Sequence, residues 1–298
     1  MKILVTGANG LLGYKLIQLL SSKAEITTIA TGRKKINGLP THVQFYELDV
    51  TDHDQTLDVL NKTKPDAVIH TAAMTQVDQC ETEQELCWKA NVTGVENVIE
   101  ACERNNVHLV HVSTDFIFDG SHGPLDETAL PKPVNFYGES KLAGELAVQK
   151  SKITWAILRT VLVYGITPDL SRSNIVLWVK KSLENGKTIN MVNDQWRTPT
   201  LAEDLAMSCY LAASKKVTGI YHISGEEMMT PFDIANQTAE FFKLDKSLIK
   251  PADSSSFKQP AMRPPKTGFI ITKAKQELGY QPHTFQQGLA LLASQLKR

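Results

Sequence analysis

The amino-terminal residues constrain the fold of this chain more than any other stretch. The run KILVT at 2–6 is apolar and rich in β-branched residues, and it ends at the glycine-rich turn GANGLLG. In the run that follows, GLLGYKLIQLLSS, the leucines recur on one face of a helix. A strand that passes through a glycine turn into a helix is the first unit of a layered α/β fold, so we expect a parallel sheet.

Strands and helices continue to alternate as far as about residue 165. Because the strand-like runs are apolar almost throughout, helices are expected to cover both faces of the sheet. The predicted fold class is α/β, with a Rossmann-type doubly wound parallel sheet and a smaller mixed α/β lobe toward the C-terminus. The predicted strands are 2–6, 25–31, 43–50, 66–73, 108–114 and 154–160, and the predicted helices are 10–22, 52–61, 82–104 and 138–150.

The glycine-rich turn predicts that a dinucleotide binds there. Gly7, Gly10 and Gly13 lack a Cβ atom, so the backbone can approach a pyrophosphate closely. The helix that follows offers unpaired N–H groups and the positive end of its dipole to the same anion. A tight turn without a ligand is the alternative, but the position between a clear strand and a clear helix favours the dinucleotide.

The end of the second strand indicates which dinucleotide is bound. NAD-binding proteins usually carry a carboxylate there, which bonds the ribose 2′-hydroxyl. Here the strand ends Thr31-Gly32-Arg33, and the guanidinium of Arg33 could bind a 2′-phosphate bidentately. NADPH is therefore the expected cofactor, with NADH as the alternative. Asp49, at the end of the third strand, is placed either to accept a hydrogen bond from the adenine or to cap the helix that begins near Asp52.

The second half of the chain has a less regular pattern, and prolines at 251, 260, 264, 265 and 282 interrupt its tail. We interpret this half as a smaller mixed lobe beside the large sheet. The predicted division is a NAD(P)-binding Rossmann domain at 1–165, rejoined by about 196–225, and a mainly substrate-binding lobe at 166–298. The elements predicted here are helices near 172–185, 201–213, 231–243 and 285–296 and strands at 188–192, 198–200 and 219–224.

Composition and charge argue against several classes of partner. The 32 basic residues balance 32 acidic ones, so no basic excess favours nucleic acid or an anionic membrane. No apolar run approaches the roughly 18 residues of a membrane span, and the first apolar run is too short for a signal peptide. The four cysteines lack metal or redox spacing and are expected to be reduced thiols. These features predict a cytoplasmic protein that acts on a small molecule.

The segment FYGESKLAGE at 136–145 supplies a candidate reaction centre. Ser113 and Thr114 end the fifth strand, and ligands of open α/β sheets bind at the carboxyl ends of the strands. Tyr137 and Lys141 are four residues apart, so on a helix they share one face. A tyrosine four residues before a lysine is a weak signal alone. It gains weight here because it follows a nucleotide-binding turn and a strand that ends in hydroxyl groups.

Four motifs in this order resemble those of an extended short-chain dehydrogenase/reductase: GANGLLG, STDFIFDG, YGESK and LRTVLVYG. The resemblance covers essentially the whole chain. Within that superfamily, the chain is most similar to the dTDP-4-dehydrorhamnose reductase group, since STDFIFDG resembles that group's S-T-D-Y-V-F-D-G and DQWRTPT resembles its D-Q-x-x-x-P-T.

The resemblance implies roles for three residues at the reaction centre. Reducing a ketone takes a hydride, which NADPH supplies, and a proton. Tyr137 would be the general acid, and the ammonium of Lys141, helped by the oxidised nicotinamide, would lower its pKa from the usual value of about 10. Thr114 would hydrogen-bond the carbonyl oxygen as negative charge develops there, with Ser113 a weaker candidate.

The turn, the strand ends and the resemblance together define two further sets of candidate residues. The cofactor-binding set is Gly7, Asn9, Gly10, Leu11, Leu12, Gly13, Arg33, Asp49, Val50, Thr71, Ala72, Ala73, Ser113, Tyr137 and Lys141. The substrate-binding set is Thr75, Asp115, Phe116, Trp196, Arg197 and Arg263.

Several positions depart from the group's pattern. Phe116 stands where related nucleotide-sugar dehydratases carry a glutamate that moves protons, which favours plain reduction. Leu162 replaces a tryptophan, and Ile270 replaces an aspartate or asparagine. Arg197 is open to two interpretations, a diphosphate ligand or a surface charge. Some members bind magnesium at a dimer interface through a glutamate early in the first helix; Lys15 occupies that place, so no such metal is expected.

The function implied by the resemblance is NADPH-dependent reduction of the 4-keto group of a nucleotide-activated deoxysugar. One alternative is another nucleotide-sugar epimerase or reductase of the same fold. A second is a non-catalytic NADP-binding regulatory subunit similar to the methionine adenosyltransferase beta subunit. The expected partner is the nucleotide-sugar substrate, with no nucleic acid and no membrane, and the chain is expected to be a monomer or a homodimer.

Overall fold

Residues 1–35, 38–167 and 174–297 are described by the structure, a computed structural model. Short, mostly buried strands alternate with helices along these ranges, as the sequence predicts. The strands are β1 Lys2–Thr6, β2 Thr27–Gly32, β3 Gln44–Glu47, β4 Ala67–His70, β5 His108–Thr114, β6 Trp155–Thr160, β7 Val163–Tyr164, β8 Ile189–Val192, β9 Thr200–Leu201, β10 Gly219–Ile223 and β11 Ile249–Ala252.

The main sheet has seven parallel strands, counted over the described ranges, in the order β3-β2-β1-β4-β5-β6-β10. The strand order reverses between β1 and β4, and a crevice opens outside the carboxyl ends of the strands at such a point. Thr6 at the end of β1 pairs with His70 at the end of β4. The predicted Rossmann-type parallel sheet is confirmed, and its ligand-binding edge is defined by these two strand ends.

Helices cover both faces of the main sheet. The helices are α1 Leu11–Ser21, α2 His53–Thr63, α3 Val77–Thr82, α4 Gln84–Trp88, α5 Gly94–Asn105, α6 Phe136–Lys150, α7 Ile175–Glu184, α8 Ala202–Lys215, α9 Pro231–Phe242 and α10 Phe285–Leu296. Apolar side chains of α1 and α8 pack on one face, and those of α2, α5 and α6 pack on the other. This double cover explains why the strand sequences are apolar on both sides.

The single helix predicted at 82–104 is instead broken into pieces. Helix α3 ends before Glu83, whose backbone lies outside the helical region at φ −122° and ψ 57°. Helix α4 then passes through a π turn at Lys89–Thr93 into α5. Asn91 in this turn is buried, and its side chain pairs with both backbone groups of Met74, at 2.8 Å and 3.0 Å. The apolar pattern predicted helix correctly, but it carried no sign that a buried asparagine would tie this segment to the loop after β4.

The C-terminal lobe packs around a small parallel pair of strands, β8 and β11. Helices α7 and α9 lie against this pair and bury a separate apolar cluster. Strand β11 was not predicted, because its sequence IKPA contains a proline and little apolar pattern. The helix predicted near 172–185 is seen from Ile175 onward, and the part of that prediction at 172–173 lies outside the described residues. Strand β10 leaves the lobe and joins the main sheet beside β6.

Lys15 joins three helices on the side of the sheet away from the Tyr137 helix. Its buried ammonium lies 2.9 Å from Glu203 on α8 and donates to Gln295 on α10 at 2.8 Å. Gln295 also donates to the same Glu203 oxygen, at 2.7 Å. Over the described residues, no group of three or more His, Cys, Asp or Glu side chains is arranged to hold a metal ion. A lysine charge thus neutralises the carboxylate at this junction.

Candidate functional site

The glycine-rich turn has the close backbone approach that its sequence predicts. Gly7 has φ +69°, a left-handed conformation that favours glycine. A Cβ atom on Gly13 would lie 2.3 Å from the carbonyl oxygen of Gly7, so α1 approaches β1 more closely than any other residue would allow. Helix α1 follows Gly10 with no side-chain cap, which leaves its first-turn N–H groups at Leu11 and Leu12 available for an anion. The turn fits a dinucleotide pyrophosphate.

Asn9 and Arg33 lie where the turn meets the end of β2. Asn9 donates to the carbonyl oxygen of Lys34 at 2.9 Å, and its own side-chain oxygen is buried with no hydrogen-bond partner among the described residues. Arg33 is exposed immediately after β2. An exposed guanidinium at this strand end fits the 2′-phosphate that distinguishes NADPH from NADH.

The ends of β3 and β4 carry the other residues that the sequence predicts to bind the cofactor. Asp52, and not Asp49, caps α2, accepting from the backbone of Gln55 at 3.0 Å. Asp49 accepts from the hydroxyl of Thr51 at 2.8 Å and is half-buried, so the capping alternative is wrong. Val50 is buried beneath it. The loop after β4, Thr71-Ala72-Ala73, is hydrogen-bonded to Thr6, and Ala72 lies against Gly7.

Helix α6 brings Tyr137 to the end of β5. The Asn135 side chain caps the helix by accepting from Gly138 at 2.8 Å. A Cβ atom on Gly138 would lie 2.1 Å from the carbonyl oxygen of Phe116, so only glycine lets the helix start so close to the strand end. Tyr137 is 8% exposed and lies beside the hydroxyl of Thr114. The Asn135 cap and the close backbone approach at Gly138 therefore bring Tyr137 to Thr114.

Burial has the largest effect on the pKa of Tyr137 in the chain alone. Burial raises the pKa of Tyr137, the hydrogen bond with Thr114 lowers it, and the negative charge of Asp115 raises it further. In the chain alone, desolvation outweighs any effect of the Lys141 ammonium. Tyr137 therefore carries its proton throughout the physiological pH range.

Lys141 lies one helical turn after Tyr137 and is also buried. Its ammonium donates to the carbonyl oxygen of Val112 at 2.8 Å. Burial lowers the pKa of Lys141 to about 8, and the charge of Glu145 raises it. Glu145 is fully buried and bonds Arg159 on β6 through its Nε at 3.0 Å and its Nη2 at 2.7 Å. The i, i+4 spacing of Lys141 and Glu145 is the sequence signal that these two charges lie near each other on α6.

A second polar group on the same side of the sheet contains His70 and His111. Their rings stack at 5.5 Å between centroids, and burial lowers the pKa of both, so both are neutral. The hydroxyl of Thr6 pairs with His70 at 2.8 Å. Ser113 is buried beside them, and its hydroxyl has no hydrogen-bond partner among the described residues.

The thiols of Cys80 and Cys87 pack beneath Tyr137. The two cysteines and Tyr137 form one buried cluster. Cys87 lies 3.3 Å from the hydroxyl of Ser140, and Asn91 donates to the Cys87 sulfur at 3.4 Å. The four cysteines are free and buried, as the sequence predicted.

The predicted substrate-binding residues fall into two groups, and in the first group Phe116 and Asp115 lie close to Tyr137. Phe116 makes an edge-on contact with the Tyr137 ring at 5.7 Å, so no carboxylate stands at this position. Asp115 is 2% exposed and faces inward. Thr75 is exposed in the loop after β4, and Trp196 is 38% exposed.

The second group consists of two arginines that are already paired within the chain. Arg197 is buried and donates to the carbonyl oxygens of Trp196 and Pro264, both at 2.7 Å. It is therefore not the surface charge that was one of the two interpretations. Arg263 binds both carboxylate oxygens of Asp78, at 2.6 Å and 2.7 Å. Neither pairing could be read from the sequence, since each joins segments far apart in the chain.

The parallel sheet and the Thr–Tyr–Lys arrangement define the class of protein. The chain is an oxidoreductase of the extended short-chain dehydrogenase/reductase type. Within that class, it belongs to the RmlD substrate binding domain family, whose model matches residues 1–298.

Three relatives show how the family varies. A probable low-salt glycan biosynthesis reductase of Haloferax volcanii is 31% identical over 97% of this chain and 96% of its own. A dTDP-4-dehydrorhamnose reductase of Aggregatibacter actinomycetemcomitans is 31% identical over 97% of each chain. The methionine adenosyltransferase 2 subunit beta of Xenopus laevis is 32% identical over 84% of this chain and 75% of its own.

Two solved structures share the whole fold. A dTDP-4-dehydrorhamnose reductase from Clostridium acetobutylicum has a TM-score of 0.89 and 27% identity, with all of both chains covered. A dTDP-4-dehydrorhamnose reductase from Bacillus anthracis, solved in complex with NADP, has a TM-score of 0.85 and 28% identity, with 99% of each chain covered. Across the described part of this chain, no helix is long and apolar enough to cross a membrane.

Proposed function

We propose that the protein reduces the 4-keto group of a dTDP-activated deoxysugar with NADPH. The observation that carries this proposal is the position of Tyr137, a buried phenol beside Thr114 at the end of β5 and one turn before Lys141. Relatives with 31% identity include a dTDP-4-dehydrorhamnose reductase, and a solved structure of that group holds NADP.

Each residue of the candidate site has a separate task in this reaction. NADPH, when bound, supplies the hydride. Tyr137 gives its proton to the carbonyl oxygen of the substrate, and burial raises its pKa, which favours the protonated phenol at neutral pH. Lys141 holds a positive charge beneath Tyr137 below a pH of about 8 and thereby favours the phenolate that remains after transfer. The first-turn N–H groups of α1 and the exposed Arg33 bind the cofactor phosphates.

Phe116 supports reduction over dehydration. Removing water from a sugar needs a group that takes a proton from carbon, and a carboxylate is a common choice. The position beside Tyr137 carries the Phe116 ring instead. The protein is therefore equipped to add a proton at the carbonyl oxygen, and nothing at Phe116 can remove one from the neighbouring carbon.

In this proposal, the nucleotide half of the substrate binds to the C-terminal lobe. This agrees with the predicted division into a cofactor-binding domain and a substrate-binding lobe. A cavity of about 400 Å³ opens between α7, β8 and the tail. Its walls include the half-exposed indole of Trp178, Met191 and the amide side chain of Asn190. An aromatic ring and an amide are suitable partners for the face and the edge of a pyrimidine base.

The test is NADPH oxidation with a panel of 4-keto nucleotide sugars. We expect turnover with the dTDP-linked 4-keto-6-deoxy-mannose type. Tyr137→Phe should lower kcat by about 10²- to 10⁴-fold, because the ring still fits and only the proton donor is lost. NADPH affinity should stay within a few-fold, which serves as the control for folding. Tightly bound NAD in the purified protein with no net NADPH consumption would instead indicate an epimerase.

A non-catalytic role is the second candidate, favoured by the 32% identity to the methionine adenosyltransferase 2 subunit beta of Xenopus laevis. In that case the protein would bind NADP and alter a partner enzyme without turning over any ketone. Thr114, Tyr137 and Lys141 are all present, which argues for catalysis. Measured NADPH binding without turnover across the whole panel would favour the regulatory role.

A further inference from the structure

Asn135, the residue before α6, uses both ends of its amide side chain. It is 4% exposed. Its oxygen, Oδ1, accepts from the backbone N–H of Gly138 at 2.8 Å and so caps the helix. Its nitrogen, Nδ2, donates to the carbonyl oxygen of Met262 at 2.7 Å, across 127 residues of sequence. One buried side chain therefore joins the start of the Tyr137 helix to the C-terminal tail.

The two partners fix the orientation of the Asn135 amide. A backbone N–H can only donate, and a carbonyl oxygen can only accept. A flipped amide would set its NH2 group against the N–H of Gly138 and its oxygen against the oxygen of Met262. Aspartate and serine also cap helices, but an ionised aspartate has no donor, and the serine hydroxyl ends one bond short of the amide nitrogen. Of these capping residues, asparagine alone is suited to both contacts.

The tail segment 261–263 has a second anchor at Asp78 on α3. One oxygen of Asp78 accepts from the backbone N–H of Ala261 at 3.2 Å and from Arg263 at 2.6 Å. Arg263 also donates to the carbonyl oxygen of Ala261 at 2.7 Å. The Met262 side chain between them is 70% exposed, so hydrogen bonds and not burial hold the segment. Because Arg263 is a predicted substrate-binding residue, a substrate that draws it away from Asp78 pulls on this segment.

The start of α6 leaves little room for Tyr137 to move. Tyr137 is the second residue of the helix, and the N–H that Asn135 holds belongs to the next residue, Gly138. A Cβ atom on Gly138 would lie 2.1 Å from the carbonyl oxygen of Phe116. Ser140 donates to the carbonyl oxygen of Tyr137 at 2.8 Å. A shift of Asn135 therefore moves the Tyr137 backbone, and a misplacement of about 1 Å in a reacting group can cost roughly 100-fold in rate.

We propose that Asn135 is a positioning residue that transmits the position of the tail segment 261–263 to Tyr137. This inference rests on the proposed ketone reduction and deepens it. When Arg263 moves toward a phosphate of the substrate, the carbonyl of Met262 carries the movement to Asn135, and the helix start sets the phenol against the ketone. Binding energy from the remote end of the substrate is thereby used to orient the proton donor.

The first test compares three replacements of Asn135, which separate the cap from the contact with the tail. Asn135→Ser and Asn135→Asp keep a capping oxygen for Gly138 and lose the donor to Met262, whereas Asn135→Ala loses both. If Asn135 transmits the tail position, all three lower kcat at least tenfold. If it only caps the helix, Asn135→Ala alone is impaired. A smaller loss of kcat in Asn135→Ser or Asn135→Asp, or a change confined to KM, overturns the proposal.

The matched control is Asp52→Ser, which exchanges the capping side chain of another helix. Asp52 is exposed and caps α2 by accepting from the backbone N–H of Gln55 at 3.0 Å. Helix α2 packs on the same face of the sheet as α6 but does not carry Tyr137. The control should keep kcat and KM within twofold of wild type. NADPH affinity within threefold of wild type shows that each Asn135 variant has folded.

The second test needs no substrate and follows amide hydrogen exchange in the first turn of α6 by mass spectrometry. Arg263→Ala removes the bonds to Asp78 and Ala261 and leaves Asn135 in place. It should speed exchange in this turn at least threefold, because the tail loosens one end of the Asn135 contact. In an Asn135→Ser background, Arg263→Ala should add less than twofold, since the connection is already broken.

The exchange measurement also separates this inference from the proposed function. A response to Arg263→Ala below threefold, or an equal response in both backgrounds, is what a merely structural cap at Asn135 would give, and either result overturns the inference. A wild-type protein that reduces no ketone in the panel instead contradicts the proposed function. The exchange rates then still decide whether Asn135 connects the tail to the start of α6.

Discussion

The proposed cofactor side and the proposed substrate side of the crevice differ in how far their polar groups are already paired. On the cofactor side, α1 begins without a side-chain cap and Arg33 is exposed at the end of β2. On the substrate side, Arg197 is bound to backbone carbonyls and lies beside Asp115, and Arg263 is bound to Asp78. The hydrogen-bond donors on the cofactor side are open to a ligand, whereas the arginines on the substrate side already have partners within the chain.

This difference separates two kinds of binding. A phosphate that meets open N–H groups and an exposed guanidinium displaces only water, so little reorganisation opposes binding. A phosphate that needs Arg263 must first displace Asp78, and the cost of breaking that pair is taken from the affinity. We therefore expect cofactor binding to depend on backbone shape and substrate binding to depend on the exchange of ion-pair partners.

The largest effects should come from the two glycines that permit close backbone contact on each side. Gly13→Ala places a Cβ atom 2.3 Å from the carbonyl oxygen of Gly7, so the turn must open and NADPH affinity should fall more than 100-fold. Gly138→Ala meets the carbonyl oxygen of Phe116 at 2.1 Å and should lower kcat about 100-fold. Fluorescence titration measures the NADPH affinity, and steady-state rates measure kcat. Gly138→Ala should keep NADPH affinity within a few-fold, and loss of binding in both variants would erase the distinction.

Arg33→Ala should weaken NADPH binding by about 10- to 100-fold, because a charge-assisted contact with the 2′-phosphate is lost. NADH affinity should change less than threefold, since NADH has no phosphate there. The control is Lys35→Ala, an exposed cation two residues further on. Equal losses for both dinucleotides would mean that Arg33 does not read the 2′-phosphate.

The rate should fall as the pH rises above about 8. Burial lowers the pKa of Lys141 to about 8, so the ammonium is present below that pH and lost above it. With the charge gone, kcat should drop by up to about tenfold per pH unit on the alkaline side. Lys141→Arg keeps its charge and should be slower but flat in the same range. A wild-type rate that is constant to pH 10 would contradict this assignment.

Asp78→Asn should have the smallest effect, and the direction in which KM changes is the informative result. The variant keeps the shape of the side chain but releases the charge of Arg263, whose pair with Asp78 is partly exposed. If the substrate competes with Asp78, KM for the nucleotide sugar should fall about 3- to 10-fold. A higher KM would show instead that the pair serves to hold the tail against α3.

The fold could be predicted well because its signals are local. Apolar runs and a glycine turn within the first 13 residues define the strand, the turn and the helix that follows, and the structure confirms the parallel sheet. The four-residue spacing of Tyr137 and Lys141 placed both side chains on one face of α6. Such patterns depend on neighbours in sequence, which a single chain displays.

The substrate side could be predicted less well because its contacts join distant segments. Arg197 contacts Pro264, and Arg263 contacts Asp78, which precedes it by 185 residues. Burial also matters in a way that spacing does not show: in the chain alone, desolvation raises the pKa of Tyr137, although the sequence shows a lysine nearby. Spacing shows which residues can meet, but it does not show how much water remains around them.

The lysine at the junction of α1, α8 and α10 has a consequence for how the protein can be handled. Its ammonium supplies the positive charge that Glu203 and Gln295 share, and that charge is covalently part of the chain. Unlike a bound cation, it cannot be removed by a chelator, diluted by dialysis or exchanged for another ion. The contacts of the C-terminal helix with α1 and α8 thus carry their own positive charge, and they need no divalent ion from the solution.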